Sequence, residues 1–364
     1  MTAGTLHASI VDLDHLIAAL PPEPRAAAGR IFAVSTVTGT LDPPMEMHAW
    51  IEKLFGSVDA VRSQKIVRVT NVATFEGALF NELRSRRPVE VKGGDQVRDT
   101  IDKSVGDPFC APETGTPADD FGRIAGKHGV TASNIAKYDG YHGVLVFREH
   151  DPLVRLDAAA IADHLATARR WADAGIARDP LARYYLLMWN CLWRAGGSIV
   201  HGHMQMTLTR GMHYPKVEAL RRQAIAYGER WGTSYFDDLW AVHEALGLGI
   251  ETDGVRVFAS LAPIKEREIV ILGRPGEDER ALAPGVARAL RSLRALGVLA
   301  HNLACYVPPL SDDGADWRAF PPLARIVDRG DPATLTSDIG AMELYAASVI
   351  ASDPFRVAEA LRAA

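Results

Sequence analysis

Cysteine is scarce in this chain, which has three such residues among 364. They are Cys110, Cys191 and Cys305, and their odd number and wide spacing argue against a disulfide framework and for a reducing, cytoplasmic setting. Long apolar runs are lacking as well, since no stretch approaches the roughly 20 residues that a membrane-spanning helix needs. Asp12 and Asp14 interrupt the apolar stretch near the N-terminus, so we expect no signal peptide.

A strong charge of either sign is also absent. The 40 Lys and Arg residues nearly balance the 45 Asp and Glu residues, which leaves a formal net charge of -5. We therefore expect neither nucleic acid nor a membrane surface to be the main partner. The chain is 48% hydrophobic and 23% charged, a composition typical of soluble globular proteins, and it is long enough for one large domain or two smaller ones.

The most informative part of the sequence is residues 190–205, and its core is the alternating set His201, His203 and Gln205. Alternate residues of an extended segment point to the same face, so these three polar side chains are expected to lie together. Gly196-Gly197-Ser198, just upstream, can turn tightly and present backbone N–H groups to an anion. An imidazole beside such donors suits attack on phosphorus, because histidine is mostly uncharged and nucleophilic at neutral pH.

A lone His-x-His pair is a weak signal, since two such histidines can also bind a structural metal or simply lie at the surface. Here the pattern is longer, because Asn190 and Ser198 precede the pair and Gln205 follows it. Together these residues resemble the galactose-1-phosphate uridylyltransferase branch of the histidine-triad superfamily, whose pattern is Asn, a Gly-containing turn, Ser and then His-Pro-His-Gly-Gln. The second histidine of that family becomes covalently nucleotidylated, so the resemblance implies that His203 is the nucleophile. Gly202 replaces the family's proline.

The resemblance also implies roles for the residues around His203. Gln205 would donate its side-chain amide to the phosphoryl oxygens, and Ser198 and the turn amides would add further hydrogen bonds. Asn190 would bind the phosphates or orient His203. Without the resemblance, Gln205 could be an exposed strand residue, and Asn190 could be the C-cap of a helix over the aromatic-rich residues 184–189.

Weaker local matches extend the resemblance over most of the chain. Arg84 and Arg87 fall in an Arg-x-x-Arg-Pro sequence like the one whose arginines approach the nucleotide phosphates in the family. The alternative for both is a solvated basic turn. Asn134 falls where the family has an asparagine near the nucleotide, and Glu343 where it has a hexose-binding glutamate. Ser337 stands in the place of a phosphate-contacting lysine, which leaves the second substrate open.

Metal sites are a second departure from the family pattern. Family members often bind zinc through two cysteines and two histidines, and here a carboxylate replaces one thiolate. The resulting mixed set, able to form a tetrahedral zinc site, is Cys110, Glu113, His150 and His201. The family's iron-type site needs a His-x-His sequence, and residues 316–318 have Asp-Trp-Arg in its place. We therefore expect zinc as the possible metal and no iron.

The order of predicted elements favours an α+β fold with antiparallel sheets. The resemblance implies two histidine-triad-like domains in tandem, the first at residues 71–215 with the catalytic motif and the second at 216–364. Residues 1–70 match nothing in the family and are predicted to form an N-terminal extension.

Four elements bear on the site. We predict a helix over residues 157–175 with Asp157 as its N-cap, and a second helix over 180–189. The motif strand is predicted at 199–208. In the second domain a helix is predicted over 283–304.

Three functions compete on these residues. The first is a nucleotidyltransferase that moves a nucleoside monophosphate between a nucleotide-sugar and a sugar 1-phosphate through a nucleotidyl-histidine, with UDP-hexose as the expected class. The second is a dinucleoside polyphosphate phosphorylase or adenylyltransferase, whose branch residues 141–149 also resemble. The third is a non-catalytic nucleotide-binding protein. We expect a cytoplasmic homodimer whose partners are a nucleotide-sugar and a sugar phosphate.

Overall fold

The computed structural model describes residues 8–81, 83–84, 94–334 and 336–364. Within them the strands are β1 (Phe32–Thr40), β2 (Ser63–Asn71), β3 (Gly77–Phe80), β4 (Gly129–Ser133), β5 (Tyr141–Phe147), β6 (Tyr184–Cys191), β7 (His203–Thr209), β8 (Gly249–Thr252), β9 (Val255–Ala259), β10 (Ile269–Leu272), β11 (His301–Tyr306), β12 (Leu323–Asp328) and β13 (Ser348–Ile350). The helices are α1 (Leu13–Ala18), α2 (Pro22–Ile31), α3 (Met45–Phe55), α4 (Val58–Arg62), α5 (Gly94–Lys103), α6 (Pro112–Gly115), α7 (Ala158–Arg178), α8 (Pro215–Trp231), α9 (Tyr235–Ala245), α10 (Ala283–Ala295), α11 (Ala341–Tyr345) and α12 (Pro354–Ala363).

A nine-stranded antiparallel sheet carries the fold, in the order β4-β5-β7-β6-β11-β12-β10-β9-β8. Two units with the same element order build it, with β4, β5, α7, β6 and β7 in the first and β9, β10, α10, β11 and β12 in the second. The units join where β6 pairs with β11, and Asn190 lies opposite Asn302 at this seam. The predicted α+β fold with a tandem pair of antiparallel units is therefore confirmed. The domain limits at residues 70 and 215 stay predictions.

Two central strands lie where the sequence predicted helices, at residues 180–189 and in the last part of 283–304. β6 spans Tyr184–Cys191, and β11 spans His301–Tyr306, after α10 has ended at Ala295. The first prediction was wrong because a central strand that is largely covered on both faces is a nearly continuous apolar run, and a buried helix shows the same run. The second prediction ran too far because Gly297, at φ +81°, lies just after the end of α10 and before β11. The aromatic residues of β6, which favour strands, were the better guide.

The helix predicted over residues 157–175 is confirmed as α7. Asp157 is its N-cap, since the Asp157 Oδ1 atom accepts a hydrogen bond from the backbone N–H of Ala160 at 3.0 Å. The helix packs on the large sheet beside α10 and buries Trp171. Gly143 on β5 lies under this ring, and a Cβ there would sit 2.5 Å from the ring atom Cε2. The close packing of α7 on the sheet thus requires glycine at this position.

The segment predicted as an N-terminal extension contributes to a separate four-stranded sheet, in the order β1-β2-β3-β13. β1 and β2 pair antiparallel along their whole lengths, from Phe32 opposite Asn71 to Thr40 opposite Ser63. β13 adds in parallel to β3 and so brings in the C-terminal part of the chain. The Asn71 Nδ2 atom donates to the hydroxyl of Tyr235 at 2.8 Å, which ties this small sheet to the second unit.

Arg325 on β12 is a buried charged contact between the second unit and the segment after β2. Its Nη1 donates to Glu76 Oε1 and its Nε to Glu268 Oε1, both at 2.6 Å. Directly opposed residues across β7, β6, β11 and β12 place Arg325 on the same face of the large sheet as Gln205. β12 has the same place in the second unit as β7 has in the first. The sheet face that carries Gln205 in the first unit therefore carries, in the second, an arginine held by two carboxylates.

Glu279 is a fully buried carboxylate in the short turn that precedes α10. Its Oε2 atom lies 3.4 Å from Nη1 of Arg169, and its Oε1 atom has no hydrogen-bond partner among the described residues. Burial raises the pKa of Glu279 to about 7, because the charged form loses its hydration.

Glu279→Gln is expected to reduce the loss of stability at high pH. The unfolded chain ionises this group near 4.5, whereas the folded chain keeps it protonated up to about 7. In that window the unfolded state binds fewer protons, so the free energy of unfolding falls as pH rises. The loss approaches about 3 kcal/mol, since one pKa unit corresponds to about 1.4 kcal/mol. Denaturant unfolding at about pH 5 and about pH 8 measures it. The exposed Glu244→Gln is the control, and a Glu279→Gln variant with the wild-type pH dependence would contradict the assignment.

Candidate active site

A cleft on the first unit collects predicted residues from three parts of the sequence. They are Asn134, Ser198, His203 and Gln205. Phe109 and Val144 belong to its apolar walls, and its volume is ≈ 190 Å³. The cleft thus combines apolar walls with a few polar groups, an arrangement typical of small-ligand sites.

His203 is the first residue of β7 and is buried at the cleft. Its Nδ1 atom lies 2.8 Å from the carbonyl oxygen of His201. A carbonyl can only accept, so Nδ1 carries the proton and the lone pair is on Nε2. Burial lowers the pKa of His203, which favours this neutral form. The edge of the imidazole faces the Phe109 ring with 5.1 Å between centroids. His203 therefore has the tautomer that a nucleophilic Nε2 atom requires.

The strand predicted from Ile199 begins only at His203, and the residue before it explains the local packing. Gly202 donates its N–H to the carbonyl of His150 at 3.0 Å and accepts from the N–H of Phe147 at 2.9 Å. A Cβ on Gly202 would lie 2.5 Å from Phe147 Cδ2. The Phe147 ring thus fills the space where the family pattern has a proline, and the strand entry is fixed by backbone hydrogen bonds instead.

Gln205 has a partner that the sequence did not single out. Its Oε1 atom lies 2.9 Å from Nε2 of His142, and both side chains are buried. Gln205 stands opposite Val144 on β5, two residues from His142. Finding this pair from sequence would have required the register of β5 against β7, which no local pattern provides. Gln205 is therefore a fixed residue of the cleft and not an exposed strand residue.

Asn190 lies on β6 and not at a helix end, so the C-cap interpretation was wrong. The Nδ2 atom of Asn302 donates to the Oδ1 atom of Asn190 at 2.7 Å. The same Nδ2 atom of Asn302 also donates to the carbonyl oxygen of Ala195 at 2.9 Å. Asn302, which the sequence analysis missed, thus links Asn190 to the turn that leads to Ser198. Gly196 in that turn has φ +93°, a conformation that favours glycine.

Among the described residues predicted to bind substrate, Asn134 lines the cleft, whereas Asn190, Arg84 and Glu343 do not. Arg84 is exposed and is not among the lining residues, and Arg87 lies outside the described residues. Glu343 is in the first turn of α11, where its Oε2 atom accepts from the N–H of Gly340 at 2.9 Å. The Ser337 hydroxyl bonds to nearby backbone groups. The roles implied for these residues by the family resemblance stay predictions.

The predicted metal ligands come together in part. One group of His, Cys and carboxylate side chains has its ligand atoms within 4.8 Å of one another, namely Asp107, Cys110, His150 and His201. Glu113, proposed from the sequence as the carboxylate, is exposed on α6 and is not a member. Asp107 replaces it because a short turn over Pro108–Cys110, capped by the Asp107 carboxylate on the N–H of Phe109, folds Asp107 back beside Cys110.

Hydrogen bonds fix the protonation of the two histidines in this group in the form that can bind a cation. His150 Nε2 lies 3.0 Å from the carbonyl of Ile101, and His201 Nε2 lies 2.8 Å from that of Phe147. Both Nε2 atoms must therefore carry protons, which leaves a lone pair on each Nδ1. The two Nδ1 atoms are 3.1 Å apart.

The other two members of the group, Cys110 and Asp107, also place electron-rich atoms where a cation could bind. The Cys110 Sγ atom lies 3.3 Å from Nδ1 of His150 and 3.5 Å from Nδ1 of His201. The Asp107 Oδ2 atom is buried with no hydrogen-bond partner among the described residues. Apart from the thiol proton of Cys110, which a metal ion displaces when it binds, these four converging groups hold no donor between them, so the residues fit a bound metal ion.

Residues 316–318 stand where the family resemblance implies a second metal site, and charged side chains form ion pairs there. Arg318 Nη2 lies 2.8 Å from Asp316 Oδ2, and the guanidinium of Arg221 lies 5.0 Å from the centre of the Trp317 ring. Arg221 also pairs with Glu218 at 2.6 Å. The absence of iron stays a prediction, to be checked by elemental analysis.

Comparisons with known proteins identify solved structures that are similar to this chain. No protein-family model and no curated protein sequence matches the chain. ADP-glucose phosphorylase from Arabidopsis thaliana, solved with bound ADP-glucose, is 17% identical with a TM-score of 0.61, over 81% of this chain and 98% of that one. A GalT-like protein from Arabidopsis thaliana is 19% identical with a TM-score of 0.57, over 70% of this chain and 91% of that one. A uridylyltransferase is 17% identical with a TM-score of 0.55, over 68% and 88%.

The chain therefore shares the fold of these three solved proteins, with two antiparallel units in tandem. The GalT-like protein and the uridylyltransferase among them agree in fold with the resemblance stated for residues 190–205, and the branch itself stays a prediction. Identities this low relate folds, so the activity is argued below from the cleft itself. No helix of the described residues is both long and apolar enough to cross a membrane.

Proposed function

We propose that the chain is a nucleotidyltransferase that moves a nucleoside monophosphate from a nucleotide-sugar to a sugar 1-phosphate, with UDP-hexose as the expected class. The transfer passes through a covalent nucleotidyl-histidine on His203. The hydrogen bond from His203 Nδ1 to the carbonyl of His201 carries the proposal, because it leaves an unprotonated Nε2 at a cleft lined by amide and hydroxyl donors.

The reaction divides into two in-line displacements. In the first, His203 Nε2 attacks the α-phosphorus, a P–N bond forms, and the P–O bond to the sugar phosphate breaks. The sugar 1-phosphate leaves with the electron pair. In the second, a phosphate oxygen of the acceptor attacks the same phosphorus, and the P–N bond breaks to restore the neutral imidazole. A covalent intermediate turns one difficult transfer between anions into two easier steps.

Neutral donors around His203 would take up the charge that develops on the phosphoryl oxygens. Gln205 contributes its side-chain NH₂ group, and Ser198 contributes a hydroxyl at the cleft. Of the turn N–H groups expected to face an anion, those of Gly196 and Gly197 already donate to the carbonyl oxygens of Trp193 and Leu192, so the Ser198 N–H is the one proposed to add to these donors. Asn190 is proposed to act through this turn, because its bond to Asn302 fixes the carbonyl of Ala195 as well.

We propose that Asp107, Cys110, His150 and His201 hold a zinc ion. Thiolate, imidazole and carboxylate are ligands of tetrahedral zinc sites. When bound, the ion would cross-link the segment after α5 to the entry of β7 and take no part in the chemistry. Its consequence for the reaction is positional, since His201 provides both a ligand atom and the carbonyl that orients His203.

A second candidate function is phosphorolysis, in which inorganic phosphate accepts the nucleotidyl group. It is favoured by the contacts near the expected sugar-phosphate residues. The Glu343 carboxylate caps its own helix, and Arg329 is held at 2.7 Å by Asp338. Ser337 provides no cation. An acceptor as small as phosphate needs fewer contacts than a hexose phosphate, so this arrangement suits it as well.

The experiment that separates these functions is a mass measurement followed by an acceptor comparison. Purified protein is incubated with nucleotide-sugars and with dinucleoside polyphosphates, and the intact mass shows any nucleotidyl adduct. The adduct is then offered a hexose 1-phosphate or inorganic phosphate. Release by the sugar phosphate alone supports the first function, and release by phosphate supports the second. No adduct with any donor would favour the non-catalytic nucleotide-binding protein.

Gln205→Ala is expected to lower kcat by about 100-fold and to change KM little. The Gln205 amide should matter most when charge moves onto the phosphoryl oxygens, so it should stabilise the transition state more than the bound substrate. Steady-state kinetics with the best donor checks this. An unchanged kcat with a raised KM would show ground-state binding instead.

We further propose that the protein is a cytoplasmic homodimer. We also propose that each chain consists of three segments, residues 1–70, 71–215 and 216–364. The small sheet takes β1 and most of β2 from the first segment, and it takes β3 and β13 from the other two. Light scattering of the purified full chain measures the oligomeric state, and a monomer at working concentration would contradict the proposed assembly.

A further inference from the structure

We propose that His142 is a positioning residue that holds the Gln205 amide with its NH₂ group towards the transferring phosphoryl group. The inference rests on the proposed function, because it concerns what Gln205 donates to. His142 itself does not touch the substrate in this proposal. It acts on Gln205 through a buried hydrogen bond.

The tautomer of His142 follows from its two neighbours. The backbone N–H of Tyr138 donates to His142 Nδ1 at 3.0 Å, so Nδ1 must carry a lone pair. In the neutral ring the proton is then on Nε2, which lies 2.9 Å from Gln205 Oε1. His142 is therefore the donor and Gln205 Oε1 the acceptor. An amide whose oxygen is fixed in this way presents its two N–H donors in the other direction.

Asn134 does not compete for this hydrogen bond. Its Nδ2 atom lies 3.3 Å from His142 Nε2, but its Oδ1 atom accepts from the N–H of Ala136 at 3.0 Å and faces away. The group that Asn134 turns to His142 is therefore a donor, which cannot accept the Nε2 proton. Of these two side-chain amides, only Gln205 presents an oxygen to His142 Nε2, and Asn134 lines the cleft beside it.

The surroundings keep His142 in place and neutral. The side chain is fully buried, and its ring stacks on Tyr138 with 4.3 Å between centroids and 25° between planes. Burial lowers the pKa of His142, which favours the neutral ring over one with protons on both nitrogens. A doubly protonated ring would set an Nδ1 proton against the N–H of Tyr138. The backbone and the ring stacking thus maintain a single donor orientation.

The need for such a lock comes from the symmetry of the glutamine side chain. The oxygen and nitrogen of an amide are nearly equal in size, so packing alone hardly distinguishes its two orientations. In the flipped orientation Gln205 would turn a carbonyl oxygen towards negatively charged phosphoryl oxygens. The His142 bond makes that orientation unfavourable, since it would set two donors against each other.

The test compares two substitutions of His142 in the full chain. His142→Phe keeps an aromatic ring against Tyr138 but removes both ring nitrogens. His142→Gln also removes the acceptor for the Tyr138 N–H, but its side-chain NH₂ can reach Gln205 Oε1. The pair therefore differs in the donor that the proposal requires, and the glutamine variant is the matched control. Thermal unfolding of both shows whether they are equally folded.

We expect His142→Phe to slow adduct formation on His203 about tenfold in single turnover, as for the loss of one hydrogen bond. KM should change little, and His142→Gln should recover most of the rate. In a Gln205→Ala background, His142→Phe should have no further effect, because the two residues act as one unit.

Three results would overturn the inference. One is a wild-type rate in His142→Phe, another is an equal loss in both His142 variants, and the third is an additive loss in the double variant. Failure of the proposed function looks different, since the wild-type chain would then form no adduct with any donor. That result removes the role of Gln205 in transfer and the role of His142 with it.

Discussion

His203→Ala is expected to lose nucleotidyl transfer by at least about 10⁴-fold while the chain still folds. The substitution removes the only atom that the proposed mechanism bonds to phosphorus, the His203 Nε2 atom. It leaves the large sheet intact, because β7 pairs with β5 and β6 through backbone groups along its length. The measurements are the transfer rate and the intact mass after incubation with donor, which should show no adduct.

The control for this variant is its metal content. His203 contributes no atom to the group of Asp107, Cys110, His150 and His201, so the variant should bind as much metal as the wild type. A variant that has lost both metal and activity reports damage to the strand entry and not loss of the nucleophile. Near-normal turnover by a folded, metal-loaded variant would rule out the histidine mechanism.

Removal of the metal is expected to have the second large effect, this time on stability. Protein purified without chelator should contain one equivalent of zinc per chain and no iron. An ion that binds the folded chain alone stabilises it by about 4 kcal/mol at a thousandfold excess over Kd. Chelation should therefore lower the unfolding temperature, and added zinc should restore it. Elemental analysis and thermal unfolding with and without chelator measure both parts.

Two carboxylate variants decide which acidic residue belongs to the zinc site. Asp107→Asn should weaken zinc binding strongly, since it removes the buried, unpartnered Oδ2 atom. Glu113→Gln should leave zinc binding unchanged, because Glu113 is exposed and lies outside the group. The reverse outcome would restore the ligand set that the sequence pattern suggested. A full equivalent of iron in the wild type would contradict the assignment of the second site.

The motif around His203 could be predicted from sequence because its chemistry is local. Alternating polar residues and the turn before them bring Ser198, His203 and Gln205 to one cleft, and their role in phosphate binding stays a prediction. His142, Asn302 and Asp107 were missed as partners because each acts across the fold. His142 meets Gln205 through strand register, and Asn302 meets Asn190 across the seam between the two units. No spacing within one segment encodes such contacts.

The wrong secondary structure has a related cause. β6 and β11 are the two innermost strands of the large sheet and pair with each other. In that position β6 loses the alternation of polar and apolar residues that identifies a half-buried strand, so periodicity could not separate it from a helix. The conformation of these two segments depends on their place in the large sheet. The sequence indicated that place only through the family resemblance.

The clamped Arg325 has a consequence for how the two units share the work. In the first unit this face of the sheet holds a cleft of ≈ 190 Å³, whereas in the second the cavity at Arg325 is only ≈ 50 Å³ and Glu76 and Glu268 neutralise the cation there. Under the proposed function the duplication would be asymmetric, with one copy for the chemistry and the other for support. Binding stoichiometry should accordingly be one nucleotide per chain. Substitutions in the supporting copy should act on the catalytic copy only through the shared seam, where Asn302 reaches Asn190.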